Sequence, residues 1–466
     1  MTSQSQELNY TAVMSNHSAP RMSRVYPLNP PAQPFNMSST TQEVQFELPN
    51  KVYNLSRSNV EFKISVPAAG ATRSNALYLQ GPPLDRVSVH TREGVYLCDI
   101  PNFQQFSKSV TQSLTCREVA KNQDSWDGTD GSKNNKLSFS YNALSDESGL
   151  ASITSGGKAI VNENTSSSMD SVAVADNIAS SVRVRLNLKE IHHSLLSCDR
   201  VMYFGQSLIF RVHFASKRGF GFSYDTAQQA NLSAANLAEI AGDITVSELK
   251  MNLAVETSPD IIEGLVARVQ SAGLQVMVPY SYGYLYTTPR GSANVNQQIR
   301  VNAGHGQRLT HVVTSHFDNN NKVSTSAYLD NANLSATGAV TKVKRYQTSM
   351  DNNNLQEYVI DSSKGEDSEL HKAVLIGSTV KDTEDYASNR VHIDSWRAGK
   401  SCSWRERDGT EVDGTSLESE RIWNINVEDQ VATDIELGGD LSYRIHTWLI
   451  CQRTLTIQPN GQIVMA

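Results

Sequence analysis

Apolar residues recur at every second position in one segment of this chain after another. Val44, Phe46 and Leu48 alternate with polar neighbours, and so do Val60, Phe62, Ile64 and Val66 in SNVEFKISVP. The same pattern returns at Val182, Val184, Leu186 and Leu188, at Leu208, Phe210, Val212 and Phe214, and at Leu249, Met251, Leu253 and Val255. Successive side chains of a strand point to opposite faces, so each segment sets one face on a core and the other in water. Strands do not alternate one for one with helical stretches, which argues against a parallel sheet built from βαβ units. The expectation is an all-β chain of two consecutive antiparallel β-sandwiches, with short helices and long loop insertions.

Helical spacing appears in a few places. Ile100, Phe103, Phe106, Val110 and Leu114 step by three and four, with Pro101 in the first turn. Ser258 is placed to cap a second helix, Pro259 suits its first position, Ile261, Leu265, Val266 and Val269 share a face, and Gly273 can end it. A short helix is expected near Ala234–Ala241. Val87 and Val89 lead through a Glu93-Gly94 turn to Val95 and Leu97. At the end of the chain, Leu455 and Ile457 meet Ile463 and Met465 across Asn460-Gly461, a pair suited to a type I′ hairpin. Tyr280, Tyr282, Tyr284 and Tyr286 alternate strictly and would project from one face of a regular strand.

Between these segments lie polar stretches. Residues 1–41 carry Pro27, Pro30, Pro31 and Pro34 and read as an extended arm or a disordered tail. Residues 120–178 and 316–350 read as long Ser/Asn-rich loops, with one alternating patch at Leu137, Phe139 and Tyr141, and residues 361–420 are charged and irregular. The expected division is an arm (1–41), a first sandwich (42–214), a linker (215–243) and a second sandwich (244–466).

Composition narrows the function. The formal net charge is −7, and phosphate backbones are bound by clustered Lys and Arg. An acidic chain without a long basic run is a poor candidate for packing naked nucleic acid. Cys98, Cys116, Cys198, Cys402 and Cys451 are odd in number, widely spaced and free of C-x-x-C pairs, which favours folding in a reducing intracellular setting over a disulfide framework or zinc ribbon. Neither a signal peptide nor a transmembrane run is expected. Sequons such as Asn54-Leu55-Ser56 read as chance matches.

The search for chemistry yields few candidates. His192-His193 near Cys198 and Asp199 contains the side chains that hold zinc, but neighbours on a strand point apart and cannot easily share one ion. Asp127-Gly128-Thr129-Asp130-Gly131 and Asp408-Gly409-Thr410-Glu411 lack the spacing of a calcium loop and fit turns. No nucleophile elbow, phosphate loop or H-E-x-x-H helix is present. Lys217-Arg218-Gly219-Phe220-Gly221-Phe222-Ser223-Tyr224 echoes an RNA-stacking motif, but Ser223 stands where that motif has Val and the surrounding βαββαβ order is missing. A glycine-rich hinge is the alternative. The tyrosine row suits either a sugar- or base-stacking platform or a buried interface. No catalytic, cofactor-binding or metal-binding residue is predicted, and the chain is not expected to be an enzyme.

The order of features resembles the double jelly-roll major capsid proteins of DNA viruses, most closely those of polinton-like viruses and virophages, relatives of the tectivirus, adenovirus and giant-virus capsid proteins. SRSNVEFKISVP followed by LDRVSVHTREGVYLCDIPNF looks like the early strands and helix of the first roll. IHHSLLSCDRVMYFGQSLIFRVHF looks like its last two strands, and ITVSELKMNLAVETSPDIIEGLVARV like the entry strand and helix of the second. LQEYVIDSSKG and TLTIQPNGQIVMA look like later strands of that second roll. The resemblance spans roughly 42 to 466. It implies two jelly rolls, a homotrimeric pseudo-hexameric capsomer of an icosahedral double-stranded DNA virus shell, contacts with neighbouring capsomers, penton and minor capsid proteins or an inner membrane, and residence in the virion after assembly inside the host cell. It implies no cofactor and no specific nucleic-acid binding. Competing expectations are a two-domain carbohydrate-binding β-sandwich, motivated by the tyrosines, and an RNA-binding module, motivated by the RGFGF segment.

Overall fold

The computed structural model describes residues 19–28, 35–37, 43–65, 67, 72–77, 82–107, 136–138, 181–191, 193–225, 237–287, 294–318, 343–350, 353–354, 359–361, 392–395, 431–438 and 443–466. The first half supplies β1 (Pro20–Val25), β2 (Glu43–Leu48), β3 (Tyr53–Ser65), β4 (Arg73–Leu77), β5 (Leu84–Thr91) and β6 (Tyr96–Pro101). The one-turn helix α1 (Phe103–Phe106), β7 (Ser181–Asn187), β8 (Leu208–Phe214), β9 (Gly221–Asp225) and β10 (Ile244–Glu256) follow. β2, β8, β5 and β6 lie side by side in that order, and β1, β10, β3 and β7 form a second sheet with Lys136–Ser138 beyond β7. Lys136–Ser138 runs parallel to β7, whereas the other pairings in these two sheets are antiparallel.

The alternating residues form the core. Phe46, Phe210 and Val89 stand in one row across β2, β8 and β5, and Val44, Val212 and Val87 in the next, all buried. Phe62 of the opposite sheet meets Phe214 edge-on, with ring centroids 5.2 Å apart. That contact closes the two sheets face to face as a sandwich, and an edge-to-face pair adds about 0.5–1.5 kcal/mol beyond the area it buries.

β10 departs from expectation. The alternation at 249–255 predicts the opening strand of the second sandwich, yet β10 is laid between β1 and β3 in the first sheet. Its own sequence specifies a half-buried strand but not the partner, which is fixed by long-range pairing. The ladder with β3 is broken where Asn252 pairs with Asn59 but Ala254 pairs with Asn54. The excursion this opens in β3 is stitched by Ser58, whose hydroxyl accepts from the Ala254 amide (3.0 Å) and donates to the Asn54 carbonyl (2.8 Å), so backbone groups displaced from the ladder still find partners.

The segment expected as a linker also contains a strand. β9 pairs with β4 on one side and with Leu237–Ala238 on the other, where a short helix was expected. The helix expected over 100–114 is described only as α1, since Pro101 closes β6 and residues beyond 107 lie outside the described set.

The second half supplies α2 (Pro259–Ala272), β11 (Leu274–Thr287), β12 (Asn294–Val301), β13 (Arg308–Asp318), β14 (Val343–Met350), β15 (Val431–Gly438), β16 (Tyr443–Ile457) and β17 (Ile463–Met465). β11, β16, β13 and His392–Ser395 make one sheet, with β17 paired to β16, and β12, β15 and β14 make another. The stretch 316–350 expected as loop therefore holds the end of β13 and all of β14. α2 follows its predicted span and buries Ile261, Leu265 and Val269, with Val266 half-buried. Ser258 makes no side-chain cap; the Glu256 carboxylate accepts from the Thr257 and Ser258 amides instead (both 3.0 Å). Ile261 and Leu265 pack on Val52 and Val201, so α2 lies over the first sandwich. β16 is buried on both faces from Arg444 to Cys451, which explains why RIHTWLIC reads as a nearly continuous run rather than an alternation.

The terminal hairpin forms, with a different turn. The Gln458 amide donates to the Gln462 carbonyl (2.8 Å) and the Gly461 amide to the Gln458 carbonyl (2.9 Å), and only Gly461 is left-handed, at φ 81°. This is a three-residue loop ending in a glycine bulge, not type I′. Pro459, fixed near φ −65°, fits the first central position of a type I turn. The Thr91–Val95 turn repeats the device with Gly94 at φ 88°.

Candidate functional site

The outward face of the β2–β8–β5–β6 sheet carries polar rows. Arg86, Ser88 and His90 alternate with Val87 and Val89 on β5, while Asp99 and Tyr96 stand beside them on β6. On a free surface these would be solvated, yet Ser88 and His90 are buried. β11 of the second half lies against β6, and the two halves meet along this line.

The seam is a charged and aromatic network. Arg86 grips Asp99 with both ends of its guanidinium (2.6 and 2.7 Å) and sits 5.8 Å from the Tyr96 ring. The bond to Asp99 outweighs desolvation and strengthens the proton's hold on Arg86. Tyr280 is buried, and burial, followed by the nearby Asp99 and Cys98, pushes its hydroxyl pKa upward. Its ring lies 4.8 Å from that of Tyr282 and 4.9 Å from the Arg453 guanidinium, which in turn donates to the Met465 carbonyl (2.7 Å). Phe106 meets Trp448 edge-on at 5.6 Å, and the Ser281 hydroxyl donates to the His193 carbonyl (3.1 Å). Buried residues from Phe46 to Ile457 thus form one continuous core spanning both halves.

The tyrosine row projects from one face, since β11 pairs with β16 without a register break. The row grades from buried to open: Tyr280 is in the seam, Tyr282 is half-buried and donates to Gln307 (2.9 Å), and Tyr284 is 41% exposed. Tyr280 is thus committed to the joint between the halves and Tyr282 to a bond within the second half, leaving no continuous stacking platform.

The other candidates are dispersed. Asp199 turns to β3, where Asn54 (2.7 Å), Ser56 (3.2 Å) and Arg57 (3.2 Å) donate to it. Burial favours its protonated form, but these bonds and the Arg57 charge hold its pKa below the ordinary value. The Cys198 thiol donates to the Ser194 carbonyl, and His193 sits at φ 55° with its carbonyl engaged by Ser281. No group of three or more metal-ligating side chains is gathered among the described residues. His192, 127–131 and 408–411 lie outside those residues. Asn54, the sequon asparagine, is buried with its amide donated to Asp199. In the RGFGF segment, Phe220 is buried in the core and Ser223 accepts from Arg73 (3.3 Å), so Phe220 offers no face to a base.

Sequence reasoning missed the seam. Its only local signal is the polar alternation of Arg86, Ser88 and His90, which reads as a solvated face until β11 is placed against it.

No protein-family model matches the chain, and no curated protein matches it by sequence. Solved structures do match. PBCV-1 VP54, fitted into a reconstruction of the virophage Sputnik, superposes with a TM-score of 0.55 at 9% identity over 96% of each chain. The PBCV-1 virus capsid gives 0.51 at 9% identity, again over 96% of each chain. The Faustovirus major capsid protein gives 0.50 at 9% identity over 94% of this chain and 90% of that one. The chain has the double jelly-roll fold of viral major capsid proteins.

Proposed function

We propose that this chain is a major capsid protein, three copies of which form a pseudo-hexameric capsomer in the icosahedral shell of a double-stranded DNA virus of polinton-like or virophage type. The observation that carries the reading is the span of the fold match, 96% of both chains for PBCV-1 VP54. In this reading residues 1–41 are an arm, the first roll begins at 42, and β10 and α2 attach a second roll that begins near β11. A two-lobed subunit with a rigid seam suits tiling, because three copies present six lobes, and closed symmetry is the norm for such contacts. The role is structural rather than enzymatic. Its partners are further copies and penton and minor capsid proteins or an inner membrane, and its place is the virion after assembly in the host cell.

Electron microscopy of the concentrated full-length protein tests this. Trimeric tiles, hexagonal sheets or closed shells are expected. Dispersed single copies at every concentration and salt would contradict the proposal.

A further inference from the structure

β1 ends its sheet: β10 pairs with one side of it, and among the described residues no strand pairs with the other. Alternate residues of such an edge hold their N–H and C=O groups out toward whatever approaches. The segment is nonetheless fixed in place. The Ala19 amide donates to the Glu256 carboxylate (2.8 Å), the Thr257 hydroxyl donates to the Ala19 carbonyl (2.6 Å), and the Leu28 amide donates to the Gln45 carbonyl (2.8 Å). An edge ordered beforehand accepts a strand without the entropy loss of folding first.

The side chains along the edge define what fits it. Six cations of the first half are matched with a carboxylate: Arg57 with Asp199, Arg86 with Asp99, Arg92 with Glu47, Arg211 with Glu43, Lys217 with Asp243 and Lys250 with Glu61. Arg21 and Arg24 are the only charged side chains of residues 19–28. Both are exposed, and neither has an ionic partner among the described residues. Met22 (52%) and Tyr26 (63%) stand exposed beside them. Arg24 and Met22 lie opposite Asn252 and Ala254, and Arg21 opposite Val255, so the two arginines flank the edge from opposite faces of the sheet.

We propose that the free edge of β1 adds a strand from a different protein, an extended segment that carries two acidic residues three positions apart. A strand laid antiparallel along the edge meets Arg24, Ser23, Met22 and Arg21 in that order. Acidic residues at its first and fourth positions then face the two arginines, and an apolar residue at its third faces Met22. Backbone bonds supply the attachment and the arginines choose the sequence, as in other cases of strand addition. A bilayer fits less well, because it would leave the backbone groups of the edge unpaired in hydrocarbon. The same edge of a second copy fits less well too: an antiparallel register over Pro20–Val25 sets Arg21 opposite Arg24 twice, and like charges directly opposite are destabilising. The inference stands apart from the shell reading, since it needs the edge alone.

The test titrates full-length protein into a labelled peptide, Gly-Ser-Val-Glu-Thr-Val-Glu-Thr-Ser-Gly, and into a control with Lys at both Glu positions, reading fluorescence anisotropy. The Glu peptide is expected to bind about tenfold tighter than the Lys peptide, a difference of about 1.4 kcal/mol, and to slow hydrogen exchange at residues 19–28. Arg21→Glu with Arg24→Glu should reverse the preference, and Arg21→Gln with Arg24→Gln should abolish it, both with the melting temperature unchanged. Equal affinity for the two peptides, binding of neither, or exchange at 19–28 unaltered by the Glu peptide would overturn the proposal and leave the arginines as guards of a strand edge. Slower exchange at 19–28 on phosphatidylserine vesicles but not with the Glu peptide would overturn it in favour of a membrane. Slower exchange on self-association of the wild type alone would overturn it in favour of a second copy. The peptide result reads a single copy as well as an assembled one, so its failure leaves the shell reading untouched.

Discussion

The tip of the C-terminal hairpin allows the attachment of the two halves to be measured against an internal control. Gly461 (φ 81°) and Gly94 (φ 88°) occupy the same position in the same type of turn. A methyl group at Gly94 would meet nothing within 4 Å, whereas at Gly461 it would stand 3.1 Å from the Gly205 carbonyl oxygen. Gly205 is itself left-handed at φ 72°, and a methyl there would lie 3.0 Å from the Gly461 Cα. Gln206 completes the contact by donating to the Gly461 carbonyl (3.0 Å). Gly94→Ala should therefore show only the backbone penalty of a left-handed alanine, about 1–2 kcal/mol. Gly461→Ala should show that penalty plus overpacking of the joint, about 1–3 kcal/mol more. Calorimetry on each single variant and on the Gly205→Ala/Gly461→Ala double gives the comparison. The double should deviate from additivity by at least about 0.5 kcal/mol, because the two positions touch. Equal losses for Gly94→Ala and Gly461→Ala, with additive behaviour at 205 and 461, would refute the claim that this close approach ties the hairpin to the first roll.

Further outcomes follow from the same contacts. Glu256→Ala removes one buried carboxylate that accepts from Ala19, Thr257 and Ser258, so local opening of 19–28 should become easier by about 2 kcal/mol, read as roughly thirtyfold faster hydrogen exchange there; unchanged exchange would contradict this. His446 is buried, and burial, followed by the Arg444 charge, lowers its pKa from 6.5 to about 3. The unfolded chain therefore binds a proton below about pH 6.5 that the folded chain refuses, and stability falls with acidification by up to about 1.4 kcal/mol per pH unit. Urea titrations between pH 6.5 and 5 should show that slope flattened in His446→Gln, and an identical slope would count against it. Tyr280→Ala should cost about 3–5 kcal/mol, as for other buried aromatics, and Tyr284→Ala less than about 0.5 kcal/mol; equal costs in denaturant unfolding would mean that the tyrosine row is not graded from seam to solvent.

Much of the fold is legible in local pattern. The rows Val44–Leu48 and Leu208–Phe214 alternate because one face of each is core, and α2 begins and ends where Pro259 and Gly273 say it should. What escaped depends on distant partners. β10 carries the alternation of a strand in either roll, and only its pairing with β1 and β3 decides between them. The cap of α2 was expected from Ser258 because serine often serves that role, but the buried Glu256 offers a charged acceptor two residues earlier and wins. The hairpin turn was expected from Asn460-Gly461 alone, whereas Pro459 sets the turn type. The seam was illegible for the same reason as β10: Arg86, Ser88 and His90 have the signature of a wet surface, and their burial follows from where β11 lies.

The most direct test of the central claim is the mass of the full-length protein in solution, by size-exclusion chromatography with light scattering. One copy is 51.3 kDa, and the account predicts a trimer of about 154 kDa or larger closed assemblies. A species that stays at 51.3 kDa under every condition, including those that favour association, would contradict it.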